Sequence, residues 1–118
     1  MGLGTAIFPN PVENDDGTIA PTAAGSSIAF TPEYSLPALR CFYDQFRTNL
    51  WTSYGFRDAF NLRANWWASD VLGIDQGPMV IMIENYRSQR VWRTFMQNPE
   101  IQRGLRRAGF TGLSVAGP

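Results

Sequence analysis

The chain has 118 residues, of which 44% are apolar and 17% charged, and its ten acidic residues balance ten basic ones. That length accommodates one domain with a modest core, or a piece of one, and no apolar run approaches the roughly 20 residues of a membrane-spanning helix. Every basic residue is an arginine, so a histidine metal site, a Ser-His-Asp triad and a lysine Schiff base are excluded within the chain, and we expect no metal and no cofactor.

The remaining chemical groups are carboxylates, amides, hydroxyls and guanidinium groups, and aromatic residues make up 14% of the chain. Sugars need flat groups to stack on and carboxylates or amides to bond their hydroxyls, so this inventory is typical of a carbohydrate site. The arginines between Arg87 and Arg107 recur at helical spacings and indicate solvated helix faces. Because the net charge is zero and no stacking platform interleaves with these arginines, we expect no nucleic-acid partner.

Residues 1–34 are predicted to form a long loop with at most short strands near 18–20 and 28–30. Turn-forming residues recur through it, namely Pro9, Pro11, Gly17, Pro21, Gly25 and Pro32. A loop of this length is unusual inside a compact domain, which indicates that it is functional or belongs to something larger.

The first predicted helix begins at Ser35 as its N-cap, with Pro37 in the first turn, and ends near Ser53, before Gly55. Its apolar residues recur at three- and four-residue steps: Leu36, Leu39, Phe42, Tyr43, Phe46, Leu50, Trp51 and Tyr54. Each large apolar side chain stabilises a fold by about 1.5–3 kcal/mol when fully buried, so this stripe is too large to remain in water. Cys41 lies on the apolar side and is expected to be a packed thiol.

Residues 56–73 lack a clean period and mix rings with polar groups: Phe56, Phe60, Trp66 and Trp67 among Asp58, Asn61, Asn65 and Asp70. Rings and hydrogen-bonding groups on one loop are typical of a sugar-binding rim. The alternative is that the rings plug the top of a helical core, and the sequence leaves both interpretations open.

A second helix is predicted from near Asp75 to about Gln97. Asp75 can cap the first turn or belong to a site, and Pro78 occupies a position that needs no donor. Residues 79–83 are apolar all round, which predicts an inner helix covered on every side. Glu84 and Arg87, three residues apart, are expected to form a structural ion pair.

Asn98 and Pro99 predict the start of a third helix, as cap and first helical residue, and Gly109 predicts its end, with Phe110 folding back as an apolar partner. The predicted architecture is therefore all-α, with about three helices. It divides into a loop at 1–34, a helical part at 35–110 and a tail at 111–118.

Four ordered blocks of this chain resemble the C-terminal part of the glycoamylase-like family of glycoside hydrolases, which is related to β-1,2-glucanases and to a domain of cyclic β-1,2-glucan synthases. The blocks are DDGTIAPTAAGSSIAFTPEYSLPALR at 15–40, YGFRDAFNLRANWW at 54–67, LGIDQGPMVIMIENYRS at 72–88 and NPEIQRGLRRAGF at 98–110. The resemblance implies the last hairpins of an α/α toroid of six helical hairpins, hydrolysis of a glucan by carboxylates, and a periplasmic or secreted setting.

The resemblance also implies roles for individual residues. Asp75 in the IDQG turn would lie at a helix N-terminus at the mouth of the barrel, as the general base that orients a water molecule, although capping competes for the same side chain. The expected sugar-binding residues are Glu33, Asp58, Asn65, Trp66 and Gln76, of which Glu33 would anchor the long loop to the rim.

A toroid needs about twelve helices, so this chain would be a C-terminal fragment that is inactive alone and acts on a β-glucan-type polysaccharide when completed. The alternative is a non-catalytic helical module for carbohydrate binding or self-assembly. Uncovered helix faces predict association with the missing toroid helices or with copies of the same chain.

Overall fold

The computed structural model describes residues 15–112, and helices account for 58% of them. The helices are α1 Pro21–Ser26, α2 Pro32–Leu50, α3 Gly73–Ser88, α4 Arg90–Met96 and α5 Pro99–Arg107; the strands are β1 Trp51–Thr52, β2 Gly55–Phe56, β3 Phe60–Asn61 and β4 Trp66–Trp67. The strands form two antiparallel pairs, β1 with β2 and β3 with β4. A mostly helical fold is thus confirmed, but the described residues contain five helices rather than about three, and their strands lie at 51–67. Residues 1–14 and 113–118 of the predicted loop and tail lie outside the described residues.

The predicted loop before residue 34 contains a helix, α1, which Pro21 opens at a position that needs no N–H donor. An ideal Cβ on Gly25 of α1 would lie 2.6 Å from Met79 Cγ of α3, so any larger residue at this position would require the Met79 side chain to move. The predicted strand at 18–20 is reduced to one bridge between Ile19 and Phe60. The predicted strand at 28–30 is a turn, in which the Phe30 N–H donates to the Ser27 carbonyl at 2.9 Å.

Helix α2 begins three residues before the predicted cap. Pro32 is its first residue, and Ser35 lies inside it and is buried, with its N–H donating to the Thr31 carbonyl at 2.9 Å. Proline fixes a helical φ and needs no hydrogen-bond acceptor, so Pro32 can start the helix without a side-chain cap. The helix ends at Leu50 rather than near Ser53, because Trp51 is extended (φ −103°, ψ 135°) and pairs with Phe56 across the β1–β2 hairpin.

The core lies where α2 meets the two hairpins. Leu50 and Phe60 are fully buried there, together with Phe56. The ring of Phe60 stacks on Trp67 (centroids 5.2 Å apart, planes at 8°) and meets Phe42 of α2 edge-on at 5.6 Å. These rings therefore hold the β3–β4 hairpin against the helix.

The predicted helix from 75 to 97 is two helices, because Gln89 adopts the left-handed conformation (φ 55°) between α3 and α4. The side chain of Asn85, buried in α3, spans this break: its Oδ1 accepts from the Trp92 N–H at 3.0 Å. Asn85 thus accepts a hydrogen bond from a first-turn N–H of α4, which the side chain of the N-cap residue Gln89 does not accept.

Two further predictions for α3 are wrong, as judged from residues 15–112. The Glu84 carboxylate accepts from the Ser88 hydroxyl at 2.6 Å and forms no ion pair with Arg87. Nor is the helix covered on every side, since Val80 is 65% exposed and Ile81 is also exposed. Within this chain, α3 packs mainly against α1 and leaves an apolar face open.

Helix α5 agrees with its prediction. The Asn98 side chain caps it by accepting from the Glu100 N–H at 2.8 Å, and Gly109 follows its end with φ 86°. The Phe110 N–H donates back to the Leu105 carbonyl at 3.0 Å, a bond that needs the left-handed glycine. The Phe110 ring is exposed rather than folded back into an apolar contact.

The described residues form an open arrangement. The Cα radius of gyration is 18.4 Å, against about 13 Å for a compact domain of this size. No helix among residues 15–112 is both long and apolar enough to cross a membrane.

Two helical glycines provide a matched test of the α1–α3 contact. Gly25→Ala places a methyl group against Met79, and we expect it to lower the free energy of unfolding by about 1–3 kcal/mol. Gly104→Ala has open space around it and should raise that energy by about 0.5–1 kcal/mol. Urea unfolding followed by circular dichroism measures both, and a gain in stability from Gly25→Ala would contradict the close contact.

The Asn85 bridge has its own test. Asn85→Ala removes the acceptor of the Trp92 N–H, and we expect faster hydrogen exchange in α4 and a loss of about 1–3 kcal/mol. The control is Asn49→Ala, at an exposed position of α2. Equal exchange rates in α4 for the two variants would show that the Asn85 side chain does not hold this junction.

Candidate functional site

The candidate site lies where residues 55–58 and 68–70 meet the first turn of α3. Two hydrogen bonds hold this junction. Gln76 Nε2 of α3 donates to the Phe56 carbonyl at 2.7 Å, and the Asp58 N–H donates to the Asp70 carbonyl at 2.9 Å. The segment that follows β2 is therefore attached on both sides, and its side chains have defined positions relative to the helix N-terminus.

Gly55 makes this attachment possible. Its φ is 108°, which L side chains rarely adopt, and an ideal Cβ there would lie 2.7 Å from Gln76 Oε1. Any other residue would strain the hairpin and displace the Gln76 amide. The sequence predicted Gly55 only as a helix terminator. No residue pattern near Gly55 indicates that its backbone lies close to Gln76.

Asp75 lies in the first turn of α3 but does not cap it. Leu72 occupies the N-cap position, and no side chain among the described residues accepts a capping hydrogen bond there. The capping interpretation of Asp75 is therefore wrong. Its partly buried carboxylate lies at the positive end of a 16-residue helix, where a negative charge is favoured.

Asp58 and Asp75 lie within hydrogen-bonding reach of each other. Partial burial raises the pKa of Asp58 above its ordinary value of 3.8, and the negative charge of Asp75, a hydrogen bond to Asp75 and the charge of Asp70 raise it further. When Asp58 carries its proton, it can donate that hydrogen bond to an ionised Asp75. The structure thus brings two of the predicted site residues together as an acid pair.

The predicted sugar contacts divide into two groups. Gln76 joins the acid pair, although its amide donor is already engaged by Phe56. Asn65 and Trp66 lie instead at the turn of the β3–β4 hairpin, where Asn65 is left-handed (φ 47°) and both residues are exposed. Of the two neighbouring tryptophans, Trp67 packs into the core, so the core-plugging interpretation holds for Trp67 and leaves Trp66 free to meet a ligand.

Glu33 does not approach the acid pair. It lies in the first turn of α2, exposed, whereas the acid pair adjoins the hairpin that follows the last turn of that helix. Seventeen residues separate Glu33 from Leu50, which is about 25 Å along a helix axis.

Arg57 is a contributor that sequence reasoning did not identify. One nitrogen of its guanidinium, Nη1, donates to the Ala68 carbonyl at 3.0 Å and to the Ser69 carbonyl at 2.9 Å, and its backbone N–H donates to the Leu50 carbonyl at 2.8 Å. It joins the end of α2 to the segment after β4 that carries Asp70. Carbonyl partners of this kind are set by the hairpin register and cannot be read from residue type.

No group of three metal-ligating side chains lies together in the part of the chain that the structure describes.

The pH dependence of stability tests the acid pair. A raised pKa in the folded state means that Asp58 favours folding below pH 3.8 and that this contribution is lost as the pH rises through its folded-state pKa. Asp58→Asn should therefore be more stable than the parent chain at pH 7, and this advantage should shrink towards pH 3. Thermal unfolding across this pH range measures the difference.

Asp16→Asn serves as a control of opposite sign. Hydrogen bonds from Thr18 lower the pKa of Asp16, so its contribution is present above pH 3.8 and is lost as the pH falls. We expect this variant to be less stable than the parent chain at pH 7, with the deficit closing in acid. The same pH trend for both variants would contradict the assignment of the two shifts.

The chain is similar to proteins of one family over most of its length. A sequence model of the Glycoamylase family matches residues 5–99, so α5 lies beyond the match apart from Pro99. The exo β-1,2-glucooligosaccharide sophorohydrolase (non-reducing end) of Parabacteroides distasonis is 46% identical over 93 residues, 79% of this chain and 13% of that enzyme.

Solved structures agree with the sequence comparison. A glucoamylase-family protein of Bacteroides uniformis is 57% identical with a TM-score of 0.77, over 80% of this chain and 23% of that one. The endo-β-1,2-glucanase of Chitinophaga pinensis, in complex with sophorotriose and glucose, is 51% identical with a TM-score of 0.76, over 80% of this chain and 22% of the enzyme. The chain thus spans under a quarter of the length of these relatives, and it belongs to the Glycoamylase family.

Proposed function

We propose that this chain supplies one wall of the active site of a glycoside hydrolase that cleaves β-1,2-linked glucan, with Asp75 as the general base. The observation that carries the proposal is the identity of 46% and 51% to two enzymes named for β-1,2-glucan substrates, combined with a carboxylate that does not cap its helix. The aromatic and amide-rich hairpins around Asp75 support a sugar as the ligand.

In this mechanism the Asp75 carboxylate accepts a proton from a water molecule, and the water oxygen attacks the anomeric carbon while a second carboxyl group protonates the departing glycosidic oxygen. Asp75 lies in the first turn of α3, at the positive end of the helix.

Asp58 is not the proposed acid for this reaction. Catalytic carboxyl groups stand about 5–5.5 Å apart in retaining glycosidases and about 6.5–9.5 Å apart in inverting ones. Asp58 and Asp75 lie within hydrogen-bonding reach of each other, which leaves no room between them for a glycosidic oxygen and a water molecule. The acid is therefore proposed to come from the rest of the family fold.

We further propose that the rest of that fold is an α/α toroid and that the chain is inactive without it. Support comes from the open apolar face of α3, on which Val80 and Ile81 are exposed, and from the extended outline of the described residues. Helices of a toroid that pack against neighbouring hairpins would cover such a face.

A chimera tests this proposal. The matched segment of this chain replaces its counterpart, 22% of the Chitinophaga pinensis endo-β-1,2-glucanase, and release of reducing sugar from β-1,2-glucan is measured. We expect the chimera to be active and the 118-residue chain alone to be inactive. In the chimera, Asp75→Asn should lower kcat by about 10²–10⁴-fold with little change in thermal stability, because it removes proton transfer but keeps the side chain's shape.

Asp44→Asn, at an exposed position on α2, is the matched control and should leave kcat unchanged. Turnover near the parent rate in the Asp75→Asn chimera would exclude the base role. A chimera that folds and binds glucan without hydrolysing it would instead favour the non-catalytic carbohydrate-binding module.

A further inference from the structure

A group of exposed rings lies on the β1–β2 hairpin and the adjoining turn of α2. This hairpin patch consists of Trp51, Tyr43 and Tyr54, with Arg47 beside them. Trp51 is 43% exposed and Tyr54 81% exposed, although both follow directly from the buried end of α2. Neither the acid pair nor the core uses the open faces of these rings.

The indole of Trp51 is held in place before any ligand arrives. It meets the ring of Tyr43 edge-on at 5.3 Å and 83°, and the ring of buried Phe56 edge-on at 4.8 Å and 84°. A ring held by two perpendicular neighbours loses little conformational freedom when a ligand packs on its exposed surface.

Polar groups suited to sugar hydroxyls border these rings. The Arg47 guanidinium lies 5.9 Å from the centre of the Tyr43 ring. Between residues 15 and 112, neither this guanidinium nor the Tyr54 hydroxyl takes part in a hydrogen bond. Flat rings beside available donors are what a neutral sugar requires, because its C–H face stacks while its hydroxyls need partners.

The hairpin patch is joined to the candidate site through the backbone. Trp51 is the cross-strand partner of Phe56, and the Phe56 carbonyl accepts from Gln76, the residue after Asp75. Directly opposed residues in an antiparallel pair are only about 5 Å apart. The hairpin that carries the patch is therefore the one whose second strand is attached to the candidate site.

We propose that the hairpin patch is a glucosyl-binding subsite, at which Trp51 stacks on one glucose unit of a β-1,2-glucan. This inference rests on the proposed function and adds to it the residues that hold the substrate away from the reacting bond. The subsite contributes affinity for longer chains and takes no part in proton transfer.

The test compares Trp51→Ala with Trp51→Phe, which keeps a ring, and with Phe95→Ala, which removes an exposed ring on α4. Binding of sophorotriose and of linear β-1,2-glucan to the 118-residue chain is measured by calorimetry, and KM and kcat are measured in the chimera. We expect Trp51→Ala to weaken binding of the long glucan, or to raise KM, by about tenfold at unchanged kcat. Trp51→Phe should stay within about threefold of the parent, and Phe95→Ala should have no effect.

The possible failures are distinguishable. A chimera that hydrolyses glucan with the same KM in the Trp51→Ala variant overturns the subsite alone, as does an equal effect of Phe95→Ala. A Trp51→Ala substitution that changes the sedimentation of the chain but not glucan binding shows that the patch contacts protein and overturns the subsite. No glucan binding by the chain and no hydrolysis by the folded chimera overturn the subsite and the proposed function together.

Discussion

The buried ring of Phe60 is the contact on which the rest of the described fold depends. It packs against α2 through Phe42 and Phe46 and stacks on Trp67 of the neighbouring strand. Its backbone also bridges to Ile19, with hydrogen bonds of 2.8 and 2.9 Å in the two directions. The segment before α1, the long helix and the β3–β4 hairpin therefore meet at one residue, and the position of each depends on that ring.

The candidate site depends on this packing indirectly. Once β3 and β4 are fixed against α2, the preceding segment must run past the N-terminus of α3, where Gln76 holds the Phe56 carbonyl. Gly55 leaves room for that amide, and Asp58 is then placed next to Asp75. Burial and then the charge of Asp75 raise the pKa of Asp58, and the flanking backbone hydrogen bonds keep the two carboxyl groups together.

The open faces of the molecule fit its relation to larger proteins. Relatives at 46–57% identity are more than four times as long as the matched segment. Exposed aliphatic residues such as Val80 on α3 are costly in water when they form continuous surfaces. The exposed apolar surfaces of the described residues are nevertheless of two chemical kinds. The α3 face is aliphatic, which suits another helix, whereas the hairpin patch is aromatic, held by perpendicular ring contacts and bordered by donors, which suits a sugar.

Several local features of this structure can be predicted from the sequence alone. The Asn98 cap, the Gly109 terminator and the apolar stripe of α2 follow from bonds within one or two turns, so residue type and spacing predict them. The start of α2 was missed because Pro32 has no N–H that needs a cap. The break at Gln89 was missed because the Trp92 N–H that follows it donates to a side chain of the preceding helix, Asn85. The sequence also named Asp75 and Asp58, which the structure brings close together.

Only the tertiary structure decided how those residues are used. Whether Asp75 caps its helix, whether Asp58 lies beside it, and whether Glu33 lies far from both depend on contacts between segments that are distant in the chain. The division of the tryptophans into Trp67, which packs against the core, and exposed Trp66 likewise follows from strand pairing, which alternates side chains between two faces. Residue types determined which chemistry was possible, and the packing around Phe60 determined which groups meet, because long-range contacts leave no periodic signal in a single sequence.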